Sequence, residues 1–408
     1  MSHGQVSTKK RVLIVLVGCS LLISLALGEL AVRLIGHYDI DGNFYVHTLK
    51  CYPYHLPVQS MKKIVKVYLA STGTVMTFDR QLGWAPRPGS KSENGLYSFN
   101  KDGIRTPSCG TVFSKTPPEG RLRISIFGDS FTHGDEVAFK YTWGRYLEDA
   151  LKKHNVSAEV LNFGVGGYGI DQAFLRWELQ GRLYKPSIVI FGLSLENMSR
   201  NVNLIREIYC PATTMPFAKP RYVLTQGKMS LINVPVPDPV RVIDIMRHFS
   251  SWELSQYEYW YRPDEYQDSL LFKSKLISFL LSSFRRRGFE QRTNSEALED
   301  LSLRILTLFK EEVESAGGKF YVVYLPFRTD VNLQIPPHPD FFKRLEAVVP
   351  VIHPERRLSK EAGWDIPRFM PLHYRSKANT IVGDVIADFV IKQVPLTKGP
   401  LENRSELK

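Results

Sequence analysis

Arg123-Ile-Ser-Ile-Phe127, followed by Gly128-Asp129-Ser130-Phe131-Thr132-His133-Gly134-Asp135, is the stretch from which the rest of the chain can be ordered. Arg123 to Phe127 alternates and carries β-branched residues, the pattern of a short buried strand. Gly128 lets the chain turn sharply and leaves Ser130 at the carboxyl end of that strand, beside the start of a helical turn. Open α/β sheets carry their chemistry at that edge. The free N–H groups and positive dipole end of the turn suit an oxyanion, although Asp-Ser is also an ordinary helix cap.

Downstream the text alternates. A helix near Thr142 to His154 is followed by a strand at Ala158 to Asn162, a helix near Ile170 to Leu183 and an apolar strand at Ser187 to Gly192. The pattern resumes with a helix at Asn294 to Ser315, a strand at Lys319 to Leu325, a helix at Asp340 to Val348 and a last helix from Ser376 to Ile391. This predicts a doubly wound parallel sheet with helices on both faces, a three-layer α/β/α domain over 121–395. Residues 203–292 interrupt it as an insertion rich in Pro and aromatics. Its Tyr257-Glu-Tyr-Trp-Tyr-Arg262 would either stack on sugar rings or pack the insertion down. Its apolar Leu270 to Phe284, ending in Arg285-Arg286-Arg287, would lie on anionic lipid or simply cover the body. Residues 37–120 read as a β-rich lead-in without chemistry, and 396–408 as a tail.

Lys9-Lys10-Arg11 precede a run from Val12 to Gly28 that has no charge; Glu29 and Arg33 then interrupt its apolar continuation to Ile35. Residues 1–36 are therefore a cytoplasmic tip and a membrane-spanning anchor, with the basic flank inside and the remainder periplasmic or extracellular. Leu16-Val17-Gly18-Cys19 looks like a lipoprotein cleavage box, but few apolar residues precede it and the run continues beyond. The net charge of +12 and pI near 9.4 permit anionic partners. No zinc-finger, basic-zipper or RNA-recognition spacing accompanies the charge, which argues against nucleic acid. The cysteines beyond the anchor, Cys51, Cys109 and Cys210, have no metal-ligand spacing, and neither a metal nor a cofactor is implied.

Two further rims follow the strands. Asn162-Phe-Gly164-Val-Gly166-Gly167-Tyr-Gly169 allows close approach of backbone N–H groups, and Gly192-Leu-Ser-Leu-Glu196-Asn197 supplies an uncharged amide donor. A serine nucleophile also needs a base. His133 could line the site but reads as a local packing group. His373, in Met370-Pro-Leu-His373-Tyr-Arg-Ser-Lys-Ala-Asn379, stands where the last unit of the sheet returns to the rim.

At these blocks the chain resembles the SGNH/GDSL hydrolase superfamily, in particular its membrane-anchored or secreted bacterial members. Gly128-Asp129-Ser130 is similar to the first family block, Asn162 to Gly167 to the second, Asn197 to the third, and His373 with Asn379 to the fifth. The resemblance implies Ser130 as nucleophile and His373 as base, with the Ser130 N–H, Gly167 N–H and Asn197 amide as the oxyanion hole. Asp129, His133 and Glu196 are rim or substrate-contact candidates. The family aspartate two or three residues before the histidine is missing, since Met370 and Pro371 stand there. Either His373 works in a dyad, the favoured reading, or Asp365 folds back to orient it. The implied activity is hydrolysis of acyl esters, often acetyl, on cell-surface or exported polysaccharide. Transfer of the acyl group to a sugar hydroxyl on the same fold, and non-catalytic carbohydrate binding, are the alternatives. Oligomeric state is not legible.

Overall fold

The computed structural model describes residues 3–71, 73–211, 213–293, 296–331, 337–363 and 365–393. The chain divides into two compact units; the tail at 396–408 lies outside the described residues.

The first unit comprises Met1–Leu69, Ile205–Pro216 and Pro239–Ser295. Its N-terminal helix spans His3–Ile35, and within it Lys10–Ile35 has a mean hydropathy of 2.4 with its apolar stretch exposed, long enough to cross a membrane. Three short antiparallel strands, Gly36–Tyr38, Phe44–Val46 and Leu49–Cys51, follow it. Val32, Phe44, Val46 and Cys51 form a small core with Leu276 and Phe279 of the Lys275–Thr293 helix. The aromatic cluster of the insertion packs inward. Trp260 is buried against Tyr209 with ring centroids 5.2 Å apart, and Tyr261 lies 4.7 Å from Phe249 and 4.6 Å from Tyr266.

The second unit, Ala70–Leu204, Phe217–Asp238 and Glu296–Lys408, contains the sheet. The lead-in at 37–120 is thus shared between the units, and the insertion returns Phe217–Asp238 to the sheet domain. There Phe217 stacks on Trp84 at 5.9 Å, and the buried Lys219 ammonium pairs with the buried Asp171 carboxylate.

Five parallel strands, β1 (Leu122–Gly128), β2 (Ala158–Asn162), β3 (Ile188–Leu193), β4 (Lys319–Tyr324) and β5 (Val351–Ile352), lie in the order β5-β4-β3-β1-β2. Chain order reverses between β1 and β3, the switch point at which such sheets open a crevice. Side chains alternate across the sheet. Ile124, Ile126, Ile188, Ile190, Tyr321 and Val323 form one core with Trp143 and Leu147 of α1 (Trp143–Lys153) and with Ile381 and Ile386 of the last helix, Ser376–Gln393. On the opposite side Phe127 and Phe320 lie 5.8 and 4.7 Å from Phe309, a residue of the Glu296–Ser315 helix. Phe174 and Trp177 of α2 (Ile170–Leu179) complete that aromatic layer. The three-layer fold is therefore present, with observed element ends within a few residues of their sequence positions; the two-residue edge strand β5 has no counterpart in the sequence reading.

Glu207, in the first unit, is fully buried, and neither carboxyl oxygen has a hydrogen-bond partner among the described residues. Burial, reinforced by Asp41, raises its pKa to about 8. An acid whose folded-state pKa lies above its unfolded value costs nothing below the unfolded pKa, and the cost grows as pH rises towards the folded pKa. Glu207→Gln removes that dependence. Its melting temperature should exceed that of the parent chain by more at pH 8 than at pH 5, and equal differences at both values would contradict a protonated Glu207.

Candidate active site

At the end of β1 Gly128 has φ +149°, and a Cβ there would collide with the Gly192 carbonyl of β3 at 2.8 Å. Only glycine fits so close an approach with that backbone. The next residue, Asp129, is fully buried and caps the turn Ser130–His133 by accepting from the Phe131 N–H at 3.0 Å. Its second oxygen accepts from Ser194 Oγ at 2.7 Å, Asn197 Nδ2 at 3.0 Å and Arg200 Nη1 at 2.8 Å. A buried carboxylate is tolerated on such terms, with a cation and several donors around it.

Ser130 Oγ lies 2.9 Å from His373 Nε2, although the two are 243 positions apart. The His373 loop is fastened on both sides. Arg328 Nη1 donates to the Pro371 carbonyl at 3.1 Å, the Tyr374 hydroxyl to the Pro326 carbonyl at 2.7 Å, and Asn379 Nδ2 to the Tyr374 carbonyl at 2.8 Å. Tyr374 packs edge-on against Phe131 at 4.8 Å, and Phe131 also meets the His373 ring at 5.2 Å.

The partner of His373 Nδ1 is Glu136, whose Oε1 is 3.2 Å away. Asp365, the acid considered from the sequence, does not take this position. It is exposed at the start of the Ile366–Phe369 turn, receives the Arg368 and Phe369 N–H groups at its carbonyl, and pairs with Arg368 at 3.6 Å. Glu136 reaches the ring because its loop doubles back. The Ser130 carbonyl accepts from the N–H groups of Gly134 and Asp135 at 2.9 and 3.0 Å, and Glu136 sits at φ +66°. A non-glycine residue in the left-handed region is held there by its surroundings. Here the Glu136 N–H donates to the Tyr97 hydroxyl at 3.1 Å, while Arg105 Nη1 and Nη2 donate to the Gly134 and Val137 carbonyls at 3.0 and 2.6 Å. Tyr97 and Arg105 belong to the segment that carried no chemistry in the sequence reading.

Asn197 is the second departure. Its two amide hydrogens go to Asp129 and to the Tyr168 carbonyl, each at 3.0 Å, and its oxygen accepts from the Ser194 N–H at 2.7 Å. The expected oxyanion donor is thus a buried brace with both hydrogens committed. Gly167, at φ +80°, follows Gly166 in a loop that Trp84 holds by donating from Nε1 to the Gly166 carbonyl at 3.1 Å. Glu196 pairs with Arg200 on the outer side of this brace.

His133 is buried, stacked on Phe99 at 5.6 Å and paired through Nδ1 with Asp135. Burial, and then the Arg105 charge, lower its pKa to about 4, so the ring is neutral near pH 7. Burial acts to raise the Asp135 pKa, but His133, His373 and Arg105 outweigh it and hold the carboxyl below its ordinary value. His133 is therefore a packing group behind the site. No group of three or more His, Cys, Asp and Glu converges as metal ligands would among the described residues.

No family model matches the chain, and no curated protein matches it in sequence. Solved structures similar to it include a protein from Desulfitobacterium hafniense assigned as lipolytic to the G-D-S-L family, at 13% identity and TM-score 0.30 over 65% of this chain and 98% of that one. The psychrotrophic esterase EstA from Pseudoalteromonas is another, at 11% and 0.33 over 66% and 97%. The acetyl xylan esterase AlAXEase gives 11% and 0.35 over 66% and 100%.

The Asp129–Arg200 pair yields a stability prediction. Arg200→Met leaves a buried carboxylate without its cation and should cost about 3–5 kcal/mol in chemical denaturation. A loss below about 1 kcal/mol, the range of exposed pairs, would show that water reaches Asp129.

Proposed function

We propose that the chain is a serine esterase of the SGNH/GDSL type, anchored by its N-terminal helix with the sheet domain on the periplasmic or extracellular side. The observation that carries the reading is the relay from Ser130 through His373 to Glu136, with contacts of 2.9 and 3.2 Å. A carboxylate accepting from Nδ1–H leaves the Nε2 lone pair facing the serine hydroxyl.

In this mechanism Ser130 Oγ forms a bond to the acyl carbonyl carbon as its proton passes to His373 Nε2. The carbonyl oxygen becomes an oxyanion held by the Ser130 and Gly167 N–H groups. Collapse breaks the bond to the leaving alkoxide, which takes the proton from His373. Water then attacks the acyl-enzyme, giving its proton to the same nitrogen, and release of the acid restores Ser130. Glu136 touches no reacting atom; it is a positioning residue that fixes the imidazole tautomer. The resemblance noted in the sequence supports acetyl esters of surface or exported polysaccharide as the substrate class. Acyl transfer differs only in replacing water by a sugar hydroxyl, and the product, free acid or a new ester, distinguishes them. A relay of this geometry counts against a purely binding role.

Wild-type protein should react with a fluorophosphonate probe at Ser130 and hydrolyse p-nitrophenyl acetate, and Ser130→Ala and His373→Ala should lose both activities. Glu136→Gln should reduce kcat by about two to four decades with little change in KM, the scale seen when a triad loses its orienting carboxylate. Asp365→Asn should stay within about twofold, as a surface change outside the relay. Absence of labelling at Ser130 would defeat the enzymatic reading, and an Asp365→Asn defect matching that of Glu136→Gln would return the acid role to Asp365.

A further inference from the structure

The Lys275–Thr293 helix carries apolar side chains on its outer face as well as on the face that packs Leu276 and Phe279 into the core. Its outward positions Ile277, Leu280, Leu281 and Phe284 follow the spacing of one helix face, and Leu280, Leu281 and Phe284 are 44, 40 and 74% exposed. Its buried positions include two serines. Ser282 Oγ accepts from the Tyr52 N–H at 3.0 Å, and Ser278 Oγ donates to the Ser274 carbonyl at 3.0 Å. In the preceding turn, Leu270–Lys273, Leu270 and Leu271 are 79 and 59% exposed. Contiguous exposed leucine and phenylalanine on one helix face mark an interaction surface.

The N-terminal helix says what covers it. Glu29, the first charge after the apolar run, accepts from the Lys275 and Leu276 N–H groups at 3.0 and 2.8 Å and from Ser274 Oγ at 2.8 Å, capping the Lys275–Thr293 helix. Arg33 donates to the Lys273 carbonyl at 2.8 Å and pairs with Glu29. The Cα of Gly28 lies against the Leu276 side chain, which a Cβ would approach to 3.1 Å. The two charges that interrupt the apolar helix are thus satisfied by this one segment. Lys10–Ile35 has 26 residues, a rise of about 39 Å against about 30 Å of hydrocarbon. The last turns, which carry Glu29 and Arg33, therefore fall at the boundary between acyl chains and headgroups, and Lys273 to Leu276 are bonded at that same depth.

We infer that Leu270–Phe284 is a second membrane contact, with Leu270, Leu271, Leu281 and Phe284 seated in the bilayer interface beside the N-terminal helix. This rests on the reading of that helix as a membrane span. Apolar residues inserted to the acyl boundary and a helix lying in the interface plane are the features of monotopic attachment. The first unit is then held to the bilayer by two covalently distant segments joined through Glu29, and not by one tether.

The test uses the full chain in lipid nanodiscs, with Cys19, Cys109 and Cys210 replaced by serine and the wholly buried Cys51 retained. Nitroxide-labelled cysteines are placed in turn at Leu271, Phe284, Leu22 within the span and exposed Lys228 in the other unit. Collision rates with oxygen, which partitions into lipid, and with a nickel chelate, which stays in water, report depth. The oxygen-to-nickel ratio at 271 and 284 should exceed that at 228 several-fold and approach the value at 22. Ratios at 271 and 284 matching 228 while 22 reads as lipid would overturn the second contact and leave the span standing. A water-like ratio at 22 would remove the span and the inference together, without touching the esterase assignment.

Discussion

The geometry of the candidate site depends on one buried carboxylate. Asp129 lies at the switch point of the sheet, and its four donors come from the turn after β1 and the loop after β3. Burying a charge costs several kcal/mol unless it is matched, so these donors are not interchangeable with water. Their combined effect is geometric. Asp129 cannot satisfy Phe131 N–H, Ser194, Asn197 and Arg200 together unless the two strand ends hold one separation, and Ser130 is the residue next to it. Asn197 extends the constraint to a third strand through the Tyr168 carbonyl, drawing in the loop that contains Gly167. An amide with both hydrogens committed still shapes the candidate site by fixing the glycine loop.

A second consequence concerns the origin of the acid. Ser130 and Glu136 share one loop, and His373 alone comes from the far end of the chain. Both ring nitrogens are therefore oriented by a single short segment. That segment needs Gly134 at φ +78° and Glu136 at φ +66°. Holding a glutamate there costs on the order of 1–3 kcal/mol, and the hydrogen bonds from Arg105 and to Tyr97 offset it. The segment before β1, with Trp84 on the Gly166 carbonyl as well, is part of the scaffold of the candidate site.

The sheet was legible because buried parallel strands are short apolar runs separated by helical periods, and β2 has the same ends in sequence and structure. Ser130 and His373 were legible by position, each at a rim the topology must form. Glu136 was not. No propensity announces a left-handed glutamate, and nearness in the chain to His373 offers only Asp365, which left a dyad as the favoured reading. Arg105 and Tyr97 carry no chemistry in the sequence because short strands and turns look like packing when their partners lie on another loop. At Leu270 to Phe284 the apolar stripe was visible, but period alone does not say which face turns inward; the buried serines and the Glu29 cap decide that.

The two acids near His373 have different work. Glu136 is 41% exposed at its side chain, so solvent screens its charge and its value lies mainly in direction, selecting the nitrogen that faces Ser130. Asp135 is more enclosed and is held ionised, in part by His373 itself. The neutral His133 ring beside it hydrogen-bonds without cancelling its charge. The direct contact of the ring is thus with Glu136, and Asp135 is a second carboxylate near it. Arg105, fully buried, is attracted by the Asp135 carboxylate and donates to the Gly134 and Val137 carbonyls, which braces the loop that presents both acids. The loop after β1 is heavily braced because one backbone segment presents two carboxylates, Glu136 to the His373 ring and Asp135 to the His133 ring.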